Sequence, residues 1–226
     1  ILGNICTRSC QFCGVKTGRP GIVDWNEPQK VAKSIEIMKV KHAVITSVDR
    51  DDLKDGGASL WVETIKSIRK LNPGTTLETL IPDFKGESKD LDKIIEVMPE
   101  VISHNLETVR RLTREVRVQA KYDRSLYVLK YLKEQGVNRT KSGIMLGLGE
   151  TEGEVLETLH DLRNANVDVV TIGQYLQPSK KLLQVKEFIS PEQFDKYAQI
   201  AKDIGFIHVE SGPLVRSSYK AHKHIN

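Results

Sequence analysis

The chain has 226 residues, 39% hydrophobic and 28% charged, which is enough to bury one sizeable core and excludes a disordered polypeptide. No stretch approaches the roughly 20 consecutive apolar residues of a membrane-spanning helix, so a transmembrane role is excluded. With 34 basic against 30 acidic residues the formal charge is +4, too small by itself to indicate a nucleic-acid partner.

The sequence opens at Ile1 with neither an initiator Met nor a basic-then-apolar leader, so the natural protein is expected to extend upstream. All three cysteines then fall in the run Cys6-Thr7-Arg8-Ser9-Cys10-Gln11-Phe12-Cys13, spaced C-x3-C-x2-C. A tight odd cluster is no disulfide framework; it points to a metal held in a reducing compartment. Three soft thiolates suffice for three irons of a cubane cluster and leave the fourth iron open to a small ligand. The alternative is a structural zinc site, for which C-x2-C pairs are the commoner pattern. It would take His42 or His104 as fourth ligand, although nothing in their spacing supports them.

Beyond the cysteines, β-branched runs alternate with segments of helical period. Pro28 to Lys39 places Val31, Ile35 and Met38 on one helical face, and His42 to Thr46 follows as a strand. Leu60, Thr64, Ile68 and Leu71 mark a second helix, closed by Asn72-Pro73-Gly74, with Thr76 to Ile81 extended behind it. Leu91, Ile94, Ile95 and Met98 make a third helix, Val101 to His104 a strand, Ser125 to Gln135 a helix, and Ser142 to Leu146 another strand. Thr151 and Glu154 form a capping box for a helix through Ala165, followed by a strand over Val167 to Ile172. Ser190-Pro191-Glu192-Gln193 opens a helix that stops at Gly205, before a strand over Phe206 to Val209. Strands separated by helices imply parallel pairing through right-handed crossovers. Six or seven such units in 226 residues predict an α/β fold, a partial (β/α)6-type TIM-like barrel, because a closed eight-unit barrel takes about 250 residues. With no repeat or linker, residues 1–226 read as a single domain.

The cysteine motif, with Phe12 before its last cysteine, resembles that of the radical S-adenosylmethionine (SAM) enzymes. The opening Ile1-Leu2-Gly3-Asn4-Ile5, the run Ser47-Val48-Asp49-Arg50-Asp51-Asp52-Leu53 before Gly56-Gly57, and Ser211-Gly212-Pro213-Leu214-Val215-Arg216-Ser217-Ser218-Tyr219 resemble the lipoyl synthase family within that superfamily. The resemblance implies a sulfurtransferase inserting two sulfur atoms at C6 and C8 of a protein-bound octanoyl-lysine. It implies that Cys6, Cys10 and Cys13 hold a [4Fe-4S] cluster whose open iron chelates SAM. It also implies that the R-S-S-Y motif, in a C-terminal extension over about 211–226, supplies a serine ligand to an auxiliary [4Fe-4S] cluster: Ser218, with Ser217 the alternative. Without the resemblance, Arg216 to Tyr219 would read as a polar turn. The three auxiliary-cluster cysteines of the family, C-x4-C-x5-C, do not occur in this sequence, so one cluster is expected here and two in the full-length protein.

On the same basis Phe12, Thr46, Ser47, Asp49, Gly56, Gly57, Asn105 and Glu107 are candidates for SAM contacts, joined by Arg124 as a carboxylate partner, Gly147 beneath an adenine, and Gln174 and Leu176 as wall. Each also has a plain structural reading: a strand end, a helix cap, a solvated charge or a tight turn. The implied partners are an octanoylated lipoyl carrier domain or glycine cleavage H protein, a ferredoxin or flavodoxin as electron donor, and an iron-sulfur carrier for cluster repair, in the cytoplasm or an organelle matrix. The basic tail of Lys220, His222, Lys223 and His224 reads as a solvated end or a dock for an acidic carrier. The remaining alternatives are a biotin-synthase-like sulfur inserter and a non-catalytic iron-sulfur or zinc protein.

Overall fold

The computed structural model describes residues 1–225. Two short parallel strands, β1 (Ile5–Cys6) and β2 (Lys16–Thr17), bracket the cysteine loop. Six further strands form one all-parallel sheet in chain order: β3 (His42–Thr46), β4 (Thr76–Leu80), β5 (Val101–Ser103), β6 (Thr140–Leu146), β7 (Val169–Gln174) and β8 (His208–Gly212). The crossovers carry α2 (Ala58–Leu71), α3 (Ser88–Glu96), α4 (Thr113–Val116), α5 (Tyr122–Glu134), α6 (Glu152–Asn164) and α7 (Pro191–Asp203), while α1 (Glu27–Met38) precedes β3. Strands paired in sequence order with helices between them make the expected partial barrel. No helix among the described residues is long and apolar enough to cross a membrane.

β3 occupies the expected residues because a β-branched run sits between turn residues. Both capping predictions hold. The Glu154 amide donates to Thr151 Oγ1 at 3.3 Å while Glu154 Oε2 accepts from the Thr151 amide at 2.8 Å, and Ser190 Oγ accepts from the Gln193 amide at 3.2 Å. Four predicted boundaries need correction. β7 and β8 start two residues later than expected, because Val167 and Phe206 pack under the preceding helix ends. α5 begins at Tyr122. β6 begins at Thr140 rather than Ser142, because Lys141, which reads as a solvated residue, is buried.

Strand alternation divides the sheet's two faces. Leu77, Ile102, Val170 and Ile172 belong to the apolar clusters built with the helices. On the concave face Lys141 Nζ donates to Glu78 Oε1 at 2.8 Å and Oε2 at 3.1 Å, and Ser103 Oγ donates to the same Oε1 at 2.8 Å. Lys141 and Glu78 side chains are fully buried. Two residues further along, Leu80 and Gly143, and two beyond that Met145, line the cavities described below from the same face. The ion pair is therefore the floor on which the site stands.

After β8 the chain turns back. Lys220 pairs with Glu210, and His224 is fully buried with Nδ1 3.3 Å from Lys141 Nζ and its ring 5.7 Å from that of His208. Lys220, His222 and Lys223 are exposed, as a solvated end requires, and only His224 departs from that reading, as a stopper at the amino-terminal ends of the strands.

Candidate active site

Two adjoining cavities of about 200 and 290 Å3 open at the carboxyl ends of the strands and share Phe12, Leu80, Asn105 and Glu107. The first is lined by all three cysteines. Cys6 Sγ accepts backbone N–H groups from Arg8 at 3.4 Å and Asp49 at 3.3 Å, contacts that would stabilise a thiolate bound to iron. Burial raises the Cys6 thiol above its ordinary pKa and pushes Cys10 up to about 12, so metal binding has to displace those protons. Among the described residues no three His, Cys, Asp or Glu groups could hold a metal ion. Three thiols around one cavity suit a core with one iron per sulfur better than a single zinc, and His42 and His104 are not its fourth ligand. His42 begins β3 at the opposite end of the sheet. His104 is spent on the Ile81 carbonyl and Ser125 Oγ, both at 2.9 Å.

The cysteine loop is anchored by Arg8, which the sequence reading passed over. Its guanidinium meets Asp51 at 2.7 and 2.9 Å, Asp83 at 2.6 Å and Asp49 at 3.2 Å, and its hydrogen bond and charge hold the Asp83 carboxyl well below the usual carboxylate range against the opposing effect of burial. This bidentate clamp ties the cluster loop to the loops after β3 and β4. The acidic run Asp49 to Asp52 thereby has a structural role: Arg50 in turn holds Asp52 at 2.9 Å.

Thr46, Ser47, Asp49, Asn105 and Glu107 line the first cavity, as expected. Ser47 Oγ and Asn105 Oδ1 are buried with no hydrogen-bond partner among the described residues, a cost that a polar ligand would offset. Glu107 adopts a left-handed backbone (φ 66°), bridges to Ile144 of β6 and accepts from Asn105 Nδ2 at 3.0 Å. Strain of this kind on a non-glycine residue is typical of functional positions. Arg117 was also missed. It is 7% exposed, donates NH1 to the Leu106 carbonyl and Ser125 Oγ at 3.1 Å each, and pairs with no carboxylate among the described residues. A cationic group left over at a cavity suits a ligand carboxylate.

Other candidates are corrected. Arg124 lies off the cavities and reaches Asp83 at 3.3 Å. Gly56 and Gly57 form the left-handed turn into α2, where a Cβ would meet Phe84 at 3.0 Å and Leu2 at 2.6 Å, so their smallness serves the chain itself. A Cβ on Gly147 would lie 2.3 Å from Gln174 Nε2 and 2.4 Å from the Glu187 carbonyl oxygen, so its smallness serves the close approach of these groups. Gln174 faces the second cavity, yet its amide is used on the Leu146, Tyr175 and Glu187 carbonyls and the Ile189 amide. Leu176 and Ser217 line the second cavity; Ser218 is exposed beside it.

A half-barrel with three thiols around a cavity at its carboxyl end defines a radical SAM enzyme, and the family described as the Radical SAM superfamily matches residues 1–162. Solved structures agree on the fold: a [FeFe]-hydrogenase maturase HydG (TM-score 0.70, 15% identity, 98% of this chain and 60% of that one) and the Escherichia coli coproporphyrinogen III oxidase HemN (0.65, 16%, 97% and 56%). Among curated proteins the chain is similar to a mitochondrial lipoyl synthase of Nematostella vectensis (74% identical, all of this chain and 78% of that one). It is also similar to the lipoyl synthases of Flavobacterium johnsoniae (74%, all and 78%) and Chlorobaculum tepidum (55%, 98% and 77%). The chain belongs to the lipoyl synthase family. It is a radical SAM sulfurtransferase of lipoate biosynthesis, with [4Fe-4S] and S-adenosylmethionine as cofactors.

Proposed function

We propose that residues 1–226 act as one radical SAM domain in which Cys6, Cys10 and Cys13 hold the radical-generating cluster. The first cavity takes S-adenosylmethionine, and the second takes the end of an octanoyl chain on a carrier-protein lysine. The observation that carries this assignment is the convergence, on one cavity, of three thiols, the Arg117 guanidinium with no carboxylate partner among the described residues, and the unpartnered Ser47 and Asn105 oxygens. When bound, cluster and cofactor supply a carbon-centred radical that takes hydrogen from C6 and C8. Arg117 binds the cofactor carboxylate; Asn105 and Glu107 orient its polar groups; Phe12, shared by both cavities, separates cofactor from substrate. Leu80, Met145, Tyr175 and Leu176 offer the alkyl chain an apolar wall and exclude water.

The R-S-S-Y serines belong to the rim of the second cavity, and we assign the auxiliary-cluster ligand to this pair; Ser217 is the serine that lines the cavity and Ser218 the one first expected. Carrier domain or H protein, ferredoxin-type reductant and cluster carrier complete the proposed partners, in the cytoplasm or an organelle matrix. The test uses full-length enzyme, reconstituted anaerobically. It is expected to form 5′-deoxyadenosine and lipoylate an octanoyl-lysyl peptide, and Arg117→Gln is expected to weaken SAM binding about tenfold or more through loss of a charge-assisted pair. Wild-type affinity in that variant would refute the Arg117 assignment, and absence of 5′-deoxyadenosine would refute the functional reading.

A further inference from the structure

The charge of this chain is unevenly placed. No aspartate or glutamate occurs in residues 1–23, 169–186 or 211–226. These are the cysteine loop with β1 and β2, β7 with the loop behind it, and the end of β8 with the segment that follows. The fold brings the middle of the first segment, around Gln11 to Val15, to the same side of the cavity mouth as the other two, while the two ends of that segment lie against the loop after β3. Val15 lines the first cavity, and Leu176 and Arg216 line the second. A Cβ on Gly14 would lie 3.6 Å from Pro178, the Leu183 amide donates to the Gln11 carbonyl at 3.1 Å, and the Gly173 backbone abuts the Val215 carbonyl.

These acid-free segments carry Lys16, Arg19, Lys180, Lys181, Lys186 and Arg216, all exposed, and none of them ion-paired with a carboxylate among the described residues. Six of the 34 basic residues are thus gathered here with none of the 30 acidic ones, leaving 28 basic against 30 acidic elsewhere. The net positive charge of the chain resides on this rim. The opposite side of the mouth, the loop after β3, is acidic in sequence, but its Asp49 and Asp51 are held on Arg8 and its Asp52 on Arg50. Between the cations the rim exposes Val15, Leu176 and Leu214. Unpaired like charges around an apolar strip cost self-repulsion in the free protein and are offset by a complementary surface.

We propose that this carboxylate-free rim is the docking surface for an acidic protein face presenting the acyl-lysine, which guides the chain into the second cavity. The proposal rests on the lipoyl synthase reading for the identity of the acyl group; the basic surface it names is the rim, not the C-terminal tail. Opposite charge across the contact acts mainly on encounter rate and register, so its signature is salt-dependent affinity.

The experiment uses full-length enzyme and two probes, an octanoylated lipoyl carrier domain of net negative charge and an octanoyl-lysyl peptide of neutral sequence. Carrier binding is read by fluorescence anisotropy without turnover, and KM is read for both probes. For the double variant Lys180→Glu/Lys181→Glu, and separately Arg19→Glu, carrier Kd and KM are expected to rise about tenfold at low salt. The peptide KM is expected to stay within about twofold, and the variants' salt dependence to be flatter than that of the wild type. Equal losses on both probes, wild-type binding in the variants, or Lys180 and Lys181 shielded from amine acylation in the free full-length enzyme by another segment of that chain would each overturn it. Salt-sensitive carrier binding without lipoylation would support the docking surface and count against the functional reading.

Discussion

At the scale of single residues the site is organised by arginines and a histidine rather than by the cysteines alone. Arg8 fixes the cysteine loop from one side, and Arg117 closes the cavity from another while donating to the hydroxyl of Ser125, which also meets His104 Nε2. With Nδ1–H donating to the Ile81 carbonyl, His104 Nε2 is an acceptor, which requires a neutral ring. Burial, reinforced by Arg117, lowers its pKa to about 4, and burial beside Lys141 lowers His224 to about 3. Unfolded, both would protonate near pH 6.5, so the unfolded state binds more protons below that value. Their contribution is fully present above pH 6.5 and is lost as the pH falls toward 4, by about 1.4 kcal/mol per pH unit for each histidine. Urea midpoints at pH 7 and pH 5 should show this fall, with a shallower slope in His104→Gln; a flat profile would contradict the neutral assignment. The cysteines were legible because their spacing is local. Arg8 and Arg117 were not, since an arginine in a sequence looks solvated until the carboxylates or the cavity that it faces are brought to it.

At the scale of elements, loops do the positioning and strands supply the register. Glu107 continues the β5 edge by bridging to Ile144, and the segment after β8 lies against β7, where the Gly173 Cα leaves room for the Val215 carbonyl. A Cβ on Gly173 would sit 2.2 Å from that backbone oxygen, a contact with no flexible atom to yield. Gly173→Ala is therefore expected to shift the segment bearing Ser217 and to reduce lipoylation about tenfold or more, the scale of a misplaced active-site group, while 5′-deoxyadenosine formation persists. Proportional loss of both products would argue that the glycine acts only through stability. The capped helices and the short β-branched strands were readable because capping and alternation depend on near neighbours. The two-residue offsets of β7 and β8 were not, because an apolar pair such as Val167 or Phe206 serves a helix end as well as a strand.

Across the whole molecule, the barrel keeps an ionic floor beneath a radical site. Lys141, Glu78 and Ser103 come from three strands and meet His224 from the tail, so the floor links the sheet to its stopper. Breaking such a pair leaves a buried charge uncompensated: Lys141→Met should destabilise the fold by about 3–5 kcal/mol, whereas Lys141→Met with Glu78→Leu should regain most of that. Denaturant unfolding of both variants decides this, and equal losses would place the cost in packing instead. By itself the sequence determined the α/β alternation, the partial barrel and the three-thiolate loop, because each rests on spacings within a few residues of chain. Only the tertiary structure decided that Lys141 is interior, that Arg124 and the Gly56–Gly57 pair belong to the scaffold, that His224 is a stopper, and that parts of three acid-free segments share one rim. Those outcomes depend on which distant side chains burial forces together, and charge, unlike periodicity, takes its meaning from the partner it meets in space.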